Sequence, residues 1–262
     1  MKKFYIIVII VMITCIGCQW HFRSSDSSSK DPLIEIERFD KLEAVYLTTG
    51  DFAALQQMKT TYPIQTRTLI EDVLSLGPVD TLDINTKFLV FFQDSTLQVL
   101  IKDVQRNFAD MDDVNRQLGD AFSRLRRQIP HLEIPQVYTQ ISSLDESIIV
   151  GQGLLGVSLD KYLGEDYPLY KRFGYTENQR KMMTRSYIVP DCLSFYLLSL
   201  YHTDHIDSIT PEQRRVFMGR IQYVVNQVMS QRLFDDEYVA RAESYMKQHP
   251  KTTIDDLLAE TN

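Results

Sequence analysis

The hydrophobic pattern of this chain changes its period twice, after Pro135 and again near Thr176. Before Pro135, apolar residues recur at the spacing of amphipathic helices, with breaks at Pro63, Pro78 and Asp94. Helical spacing resumes near Thr176. Between the two helical parts lie three short runs of β-branched and aromatic residues, at 136–141, 147–150 and the end of 151–159. We therefore predict an α+β fold that is predominantly α-helical, with a small three-stranded antiparallel sheet in the middle of the chain.

Capping residues and prolines predict where the helices begin and end. Asp51 is a candidate N-cap, and Pro63 ends the helix that Asp51 begins. The other predicted helices cover residues 66–76, 84–108 with a break near Asp94, 112–129, 176–186, 188–201, 211–230, 235–249 and 254–260. The alternation of apolar and charged residues at 34–39 predicts a short strand, and residues 160–175 predict an aromatic loop.

The N-terminus has the pattern of a bacterial lipoprotein signal. Lys2 and Lys3 precede an apolar run of 13 residues, Phe4 to Ile16, which ends at Gly17-Cys18. We expect cleavage before Cys18 and attachment of lipid to its thiol. The alternative, an uncleaved transmembrane anchor, is less favoured because a spanning helix needs roughly 20 apolar residues.

The residues after Cys18 predict the location of the mature protein. Gln19 stands where an Asp would favour retention at the inner membrane, so we expect a lipid-anchored protein of the outer membrane. The first acidic residue is Asp26, which favours a periplasmic face. We expect residues 1–17 to form the signal peptide, 18–32 a Ser-rich flexible tether, and 33–262 a single globular domain, with a helical part at 33–133 and the sheet plus helices at 134–262.

Charge and cysteine content exclude several classes of function. Without residues 1–17, which contain Lys2 and Lys3, the chain keeps 26 basic and 35 acidic residues, a net charge of −9. This balance argues against a nucleic-acid partner. Cys192 is the one cysteine beyond the signal region, so no intramolecular disulfide is expected. Its apolar surroundings favour a buried small hydrophobe over a nucleophile.

Known catalytic and cofactor motifs are missing from the sequence. Gly151, Gly153 and Gly156 form G-x-G-x-x-G, but they precede a predicted strand, whereas a dinucleotide fingerprint opens a helix. We therefore expect no cofactor. His202, His205 and Asp207 could contribute to a metal site, but they follow the end of an apolar helix and are better explained as solvated polar residues.

The aromatic loop is the candidate for partner binding. Its tyrosines alternate with charged residues, and such rings give recognition surfaces a large contact area at low entropic cost. The candidate residues are Asp160, Lys161, Tyr162, Tyr167, Tyr170 and Lys171. The alternative is that the rings pack the sheet against the following helix.

Several segments resemble the gliding-motility lipoprotein GldB family. They are Ile36–Asp40, Asp103–Phe108, Ile134–Ser142, Gly156–Gly164 and Asp166–Tyr170, within residues 34 to 202. The resemblance implies an envelope lipoprotein associated with gliding motility, whose partners are envelope proteins of the gliding or secretion machinery. No resemblance is evident beyond Pro211.

The family is also similar to a group of zinc peptidases in which a short sheet precedes a helix carrying His-Glu-x-x-His. The corresponding helix here, residues 188–201, contains neither His nor Glu, so it cannot supply the ligands and the base that a zinc hydrolase needs. We expect a degenerate zincin-like scaffold without metal ligands or catalytic residues, acting as an assembly or interaction component. The alternative is a hydrolase, a divergent metallopeptidase that uses His202, His205 and Asp207.

Overall fold

The computed structural model describes residues 34–201 and 210–259. Cys18, the predicted signal and tether, and His202, His205 and Asp207 lie outside these residues. The helices before the sheet are α1 (Phe39–Thr49), α2 (Phe52–Thr61), α3 (Pro63–Arg67), which continues as a π-helical turn (Thr68–Val73), α4 (Ile84–Phe91), α5 (Ser95–Asn107) and α6 (Asp112–Gln128).

The sheet and the second group of helices follow. The strands are β1 (Gln136–Gln140), β2 (Ile148–Gly151) and β3 (Leu154–Ser158). After a 3₁₀ turn (Leu159–Lys161) come α7 (Pro168–Arg172), α8 (Glu177–Met182), a second 3₁₀ turn (Arg185–Tyr187), α9 (Ile188–Leu200), α10 (Pro211–Met229), α11 (Glu237–Gln248) and α12 (Ile254–Ala259). The predicted fold class, α+β and predominantly α-helical, is confirmed.

Local capping explains where several helices begin. The Asp51 carboxylate accepts a hydrogen bond from the backbone N–H of Ala53, and Asp94 does the same for Thr96 and Leu97. Each carboxylate thus satisfies N–H groups that the first helical turn leaves free. The predicted helix start at Asp51 and the predicted break near Asp94 are both confirmed.

Four local predictions differ from the structure, one of them the helix predicted at 176–186, which ends at Met182 and is followed by a separate 3₁₀ turn. Residues 34–38 form no strand; Glu37 alone pairs with Tyr138, in a single parallel bridge. The helix predicted at 66–76 is α-helical only to Arg67 and then becomes π-helical. The predicted aromatic loop contains the short helix α7, which Pro168 starts because proline fits the first helical position.

The sheet is mixed, so the prediction of an antiparallel sheet was wrong for one of its two pairs. The strand order is β1-β3-β2; β2 pairs with β3 antiparallel, and β1 pairs with β3 parallel. Gln152 and Gly153 both have positive φ, as a tight two-residue hairpin requires, and this turn fixes the antiparallel pair. The longer connection from β1 to β2 lets β1 reach the far side of β3.

Helices cover both sides of the sheet and share its hydrophobic core. On one side, the Phe39 ring of α1 packs edge-on against the Tyr138 ring of β1, with 6.2 Å between the centroids. On the other side, α9 packs against β2 and β3, and its Cys192 is fully buried, as predicted. Among the described helices, none has the length and apolar character to span a membrane.

Candidate binding site

The structure corrects the surface that we predicted on the aromatic loop. Four of its six side chains are buried: Asp160, Lys161, Tyr162 and Tyr170. A partner cannot reach a buried side chain, so these four act within the fold. Tyr167 is half-buried and Lys171 is exposed.

Asp160 and Lys161 attach the β1–β2 connection to the end of β3. The Asp160 carboxylate accepts hydrogen bonds from the backbone N–H groups of Ser142, at 2.9 Å, and Leu144. The Lys161 ammonium donates to the carbonyl oxygen of Asp145 at 2.7 Å and to that of Leu144. Burial raises the pKa of Asp160. Both side chains satisfy backbone groups that would otherwise be buried without partners.

Two tyrosines of this segment use their hydroxyl groups in internal hydrogen bonds. The Tyr170 hydroxyl donates to the carbonyl oxygen of Asp160 at 2.8 Å and accepts from the N–H of Leu163. The Tyr162 hydroxyl donates to the Asp191 carboxylate of α9 at 2.8 Å. Burial raises the pKa of Asp191 to about 7. Tyr162 therefore links the segment to α9, whereas Tyr170 stabilises the segment internally.

The remaining exposed part of the segment is small. The Tyr167 hydroxyl donates to the Asp103 carboxylate of α5 at 3.0 Å, so the half-buried Tyr167 links α5 to the segment. Lys171 lies on α7. Phe173, which is 52% exposed, directly follows the end of α7. A partner-binding role for Tyr167 and Lys171 stays a prediction.

Residues 37–43 close the outer edge of β1. The N–H of Thr139 donates to the carbonyl oxygen of Glu37 at 3.0 Å. The N–H of Ile141 donates to the Glu43 carboxyl at 2.8 Å. Burial raises the pKa of Glu43 well above its usual range. Asp40, also buried, forms an ion pair with Arg38, with 2.8 Å between Nε and Oδ1. This edge therefore offers no backbone groups to a further strand.

The opposite edge of the sheet, β2, has no strand beyond it in the described part of the chain. The N–H of Ser158 donates to the carbonyl oxygen of Ser147, and alternation along an antiparallel pair then directs the backbone groups of Ile149 toward β3. The backbone groups of Ile148 and Val150 point outward. Ile148 is buried, whereas Val150 is half-buried, so the accessible part of the edge lies near Val150.

A single glycine shapes the face of the sheet beside this edge. Tyr138, Gly156 and Ile149 lie in one row across the three strands. The Tyr138 ring lies over Gly156 so closely that a Cβ atom there would be 2.5 Å from Cζ. Gly156 therefore belongs to a close packing contact rather than to a phosphate-binding loop. This agrees with the conclusion from the sequence that G-x-G-x-x-G is not a dinucleotide fingerprint here.

A cleft of about 370 Å³ opens over this face. Its apolar lining comes from Ile64 and Val73 of the helical segment and from Tyr138, Ile149 and Leu154 of the sheet. The π-helical turn Thr68–Val73 supplies Thr68, Asp72 and Val73 to the lining, and π turns are frequent at functional sites. The carboxylates of Asp72 and Glu146 lie at the solvent side. An apolar floor with a few polar groups is the usual composition of a binding site.

Sequence reasoning missed this cleft because no motif marks it. Its lining comes from three separate segments, around residues 64–73, 138 and 146–154. Gly156 was the one residue in the sequence that hinted at this site, because a glycine inside a strand often marks a position where another group approaches the backbone closely. The sequence does not show that Tyr138 is that group.

The described residues contain no group of three or more His, Cys, Asp or Glu side chains placed to hold a metal ion. The structure leaves the metal-site alternative untested, since His202, His205 and Asp207 lie outside the described ranges. Cys192 is enclosed in the core, and burial raises the pKa of its thiol well above the usual value. Such a thiol is poorly suited to nucleophilic attack.

These features define a helical α+β protein. The buried polar side chains of the aromatic segment form hydrogen bonds within the protein, and a cleft of about 370 Å³ lies beside β2. A family model described as gliding motility protein GldB matches residues 22–235. Because this match spans more than half of the sequence, the chain belongs to that family. The match continues past Pro211, so the resemblance extends further than we predicted. No curated protein matches the chain, and no solved structure matches it either.

Proposed function

We propose that this chain is a non-catalytic, lipid-anchored component of the gliding-motility machinery that acts by binding other envelope proteins at the outer membrane. The observation that carries the proposal is the family match over residues 22–235. The internal hydrogen bonds of Asp160 and Lys161 support a non-catalytic role for the aromatic segment, because these side chains already have partners.

The anchor belongs to the proposal. Lipid on Cys18 would hold the protein at the outer membrane, facing the periplasm, and residues 18–32 would act as a tether for one domain at 33–262. More than one acyl chain is needed for stable anchoring, which fits a lipoprotein cysteine.

Labelling cells with a radioactive fatty acid tests the anchor. We expect Cys18→Ala to prevent labelling and to leave an uncleaved precursor, because it removes the thiol that takes the lipid. Cys15→Ala is the matched control and should label normally. Label that persists in Cys18→Ala would contradict the assignment.

The partners in this proposal are envelope proteins of the gliding or secretion machinery. Deletion of the gene from the source bacterium should abolish colony spreading, and the wild-type chain should restore it. Crosslinking in intact cells followed by capture of the chain should identify the partners. Normal spreading of the deletion strain, together with no captured envelope protein, would contradict the proposal.

Metal analysis of the purified full chain separates binding from catalysis. Our proposal predicts no stoichiometric zinc. One zinc per chain, lost in His202→Ala, would instead support the hydrolase.

A further inference from the structure

We propose that the cleft beside β2 binds an extended segment of a partner protein that carries a lysine or arginine next to an apolar residue. This inference rests on the proposed function, since it names the kind of partner that the chain would bind. The argument depends on charge, on the shape of the cleft and on the free groups that line it.

Charge complementarity selects a basic ligand. Asp72 and Glu146 line the cleft and are exposed, whereas no lysine, arginine or histidine lines it. Neither carboxylate has a hydrogen bond or a salt bridge to another residue in the described ranges, although many other acidic side chains do. Two unpaired negative charges at the rim of an apolar cleft attract a cation and repel an acidic segment.

Shape selects an extended chain. The cleft follows β2 and is bounded on the other side by Ile64 and Thr68, which lie four residues apart along α3 and the π-helical turn. Its volume of about 370 Å³ accommodates a few side chains, not a helix of roughly 10 Å diameter. Binding of an extended peptide along an open sheet edge is a common recognition mode.

Free polar groups give the segment hydrogen-bonding partners. The N–H and the carbonyl oxygen of Val150 point away from β3, and Val150 is half-buried rather than enclosed. The outward backbone groups of Val150 add a donor and an acceptor at the edge of the sheet.

Binding of two labelled peptides to the full chain tests this proposal. The probes are acetyl-Val-Lys-Val-Lys-Val-amide and the same peptide with glutamate in place of lysine, measured by fluorescence polarisation. We expect the lysine peptide to bind at least about fourfold more tightly than the glutamate peptide, since two exposed charge pairs each contribute roughly twofold to fivefold. Equal binding, or no binding of either peptide, would overturn the proposal.

A pair of isosteric variants locates the binding site. Asp72→Asn/Glu146→Gln should reduce the preference for the lysine peptide to within about twofold, because it removes both rim charges without changing the shape of the cleft. Asp120→Asn, an exposed acidic position on α6, is the matched control and should keep the full preference. A preference that survives in the double variant would place the binding site elsewhere.

The same double variant separates this proposal from the proposed function. If the cleft is the partner site, crosslinked capture of the envelope partner falls at least fivefold in Asp72→Asn/Glu146→Gln and stays normal in Asp120→Asn. Undiminished capture by the double variant would overturn the cleft proposal while supporting a binding function. No capture by the wild-type chain would overturn the proposed function itself.

Discussion

Gly156→Ala should destabilise the protein by forcing the Tyr138 ring away from β3. The added Cβ would lie 2.5 Å from Cζ of Tyr138 and 2.6 Å from its hydroxyl oxygen, whereas carbon atoms in good contact are about 3.5–4.0 Å apart. The ring must therefore move by roughly 1 Å, but Phe39 packs against it. Overpacking of this kind costs about 1–3 kcal/mol, which would lower the melting temperature by about 2–12 °C in a domain of this size.

Urea unfolding followed by circular dichroism measures this loss, with Gly151→Ala as the matched control. A Cβ at Gly151 has no neighbour within 4 Å, and its φ lies outside the left-handed region, so Gly151→Ala should cost at most about 0.5 kcal/mol. In a Tyr138→Ala background, Gly156→Ala should become nearly neutral because the clashing ring is absent. Equal stability of the two single glycine variants, or a penalty that persists without the Tyr138 ring, would refute the reasoning.

Three further predictions concern single side chains. Burial raises the pKa of Asp191 to about 7; the folded state therefore keeps a proton that the unfolded state loses, and its stability should fall by up to ~1.4 kcal/mol per pH unit as pH rises from about 4 to about 7. Asp191→Asn should remove this pH dependence of the unfolding free energy, measured by urea unfolding across that pH range. An unchanged pH dependence in the variant would contradict the prediction. The buried thiol of Cys192 should react with a thiol reagent only after denaturant is added; rapid reaction of the native protein would contradict its burial. Lys171→Glu should weaken partner capture more than about fivefold at an unchanged melting temperature if α7 belongs to the interface, and normal capture would exclude Lys171 from it.

Local signals made much of the fold predictable from the sequence. Asp51 and Asp94 cap helices through hydrogen bonds to N–H groups two or three residues away, so the cap and its helix lie in one short segment. Hydrophobic periodicity likewise located the strands to within about two residues. The turn between β2 and β3 is equally local, since Gln152 and Gly153 themselves adopt the positive φ that a tight turn requires.

Contacts between distant residues determined what the sequence did not predict. The residue pattern of β1 would be the same in a parallel and in an antiparallel pair. It therefore could not show that β1 runs parallel to β3. Asp160 and Lys161 read as surface residues because charged side chains are usually exposed. Their burial depends on backbone groups of Ser142 and Asp145, 18 and 16 residues away along the chain.

The candidate cleft required the tertiary structure for the same reason. Asp72 and Glu146 are ordinary acidic residues in the sequence, more than seventy positions apart. Only the packing of the π-helical turn against the sheet places both at one cleft. The predicted candidate Lys171 remains at the surface, on a different segment.

Colony spreading of the deletion strain, complemented with His202→Ala/His205→Ala/Asp207→Asn, tests most directly whether the chain acts by binding rather than by catalysis. These three side chains are the ones that the hydrolase alternative would use to hold a metal. A binding protein does not need them, so we predict spreading equal to that of the strain complemented with the wild-type chain, at equal abundance of the two proteins. Loss of spreading by the triple variant at unchanged abundance would contradict a non-catalytic function.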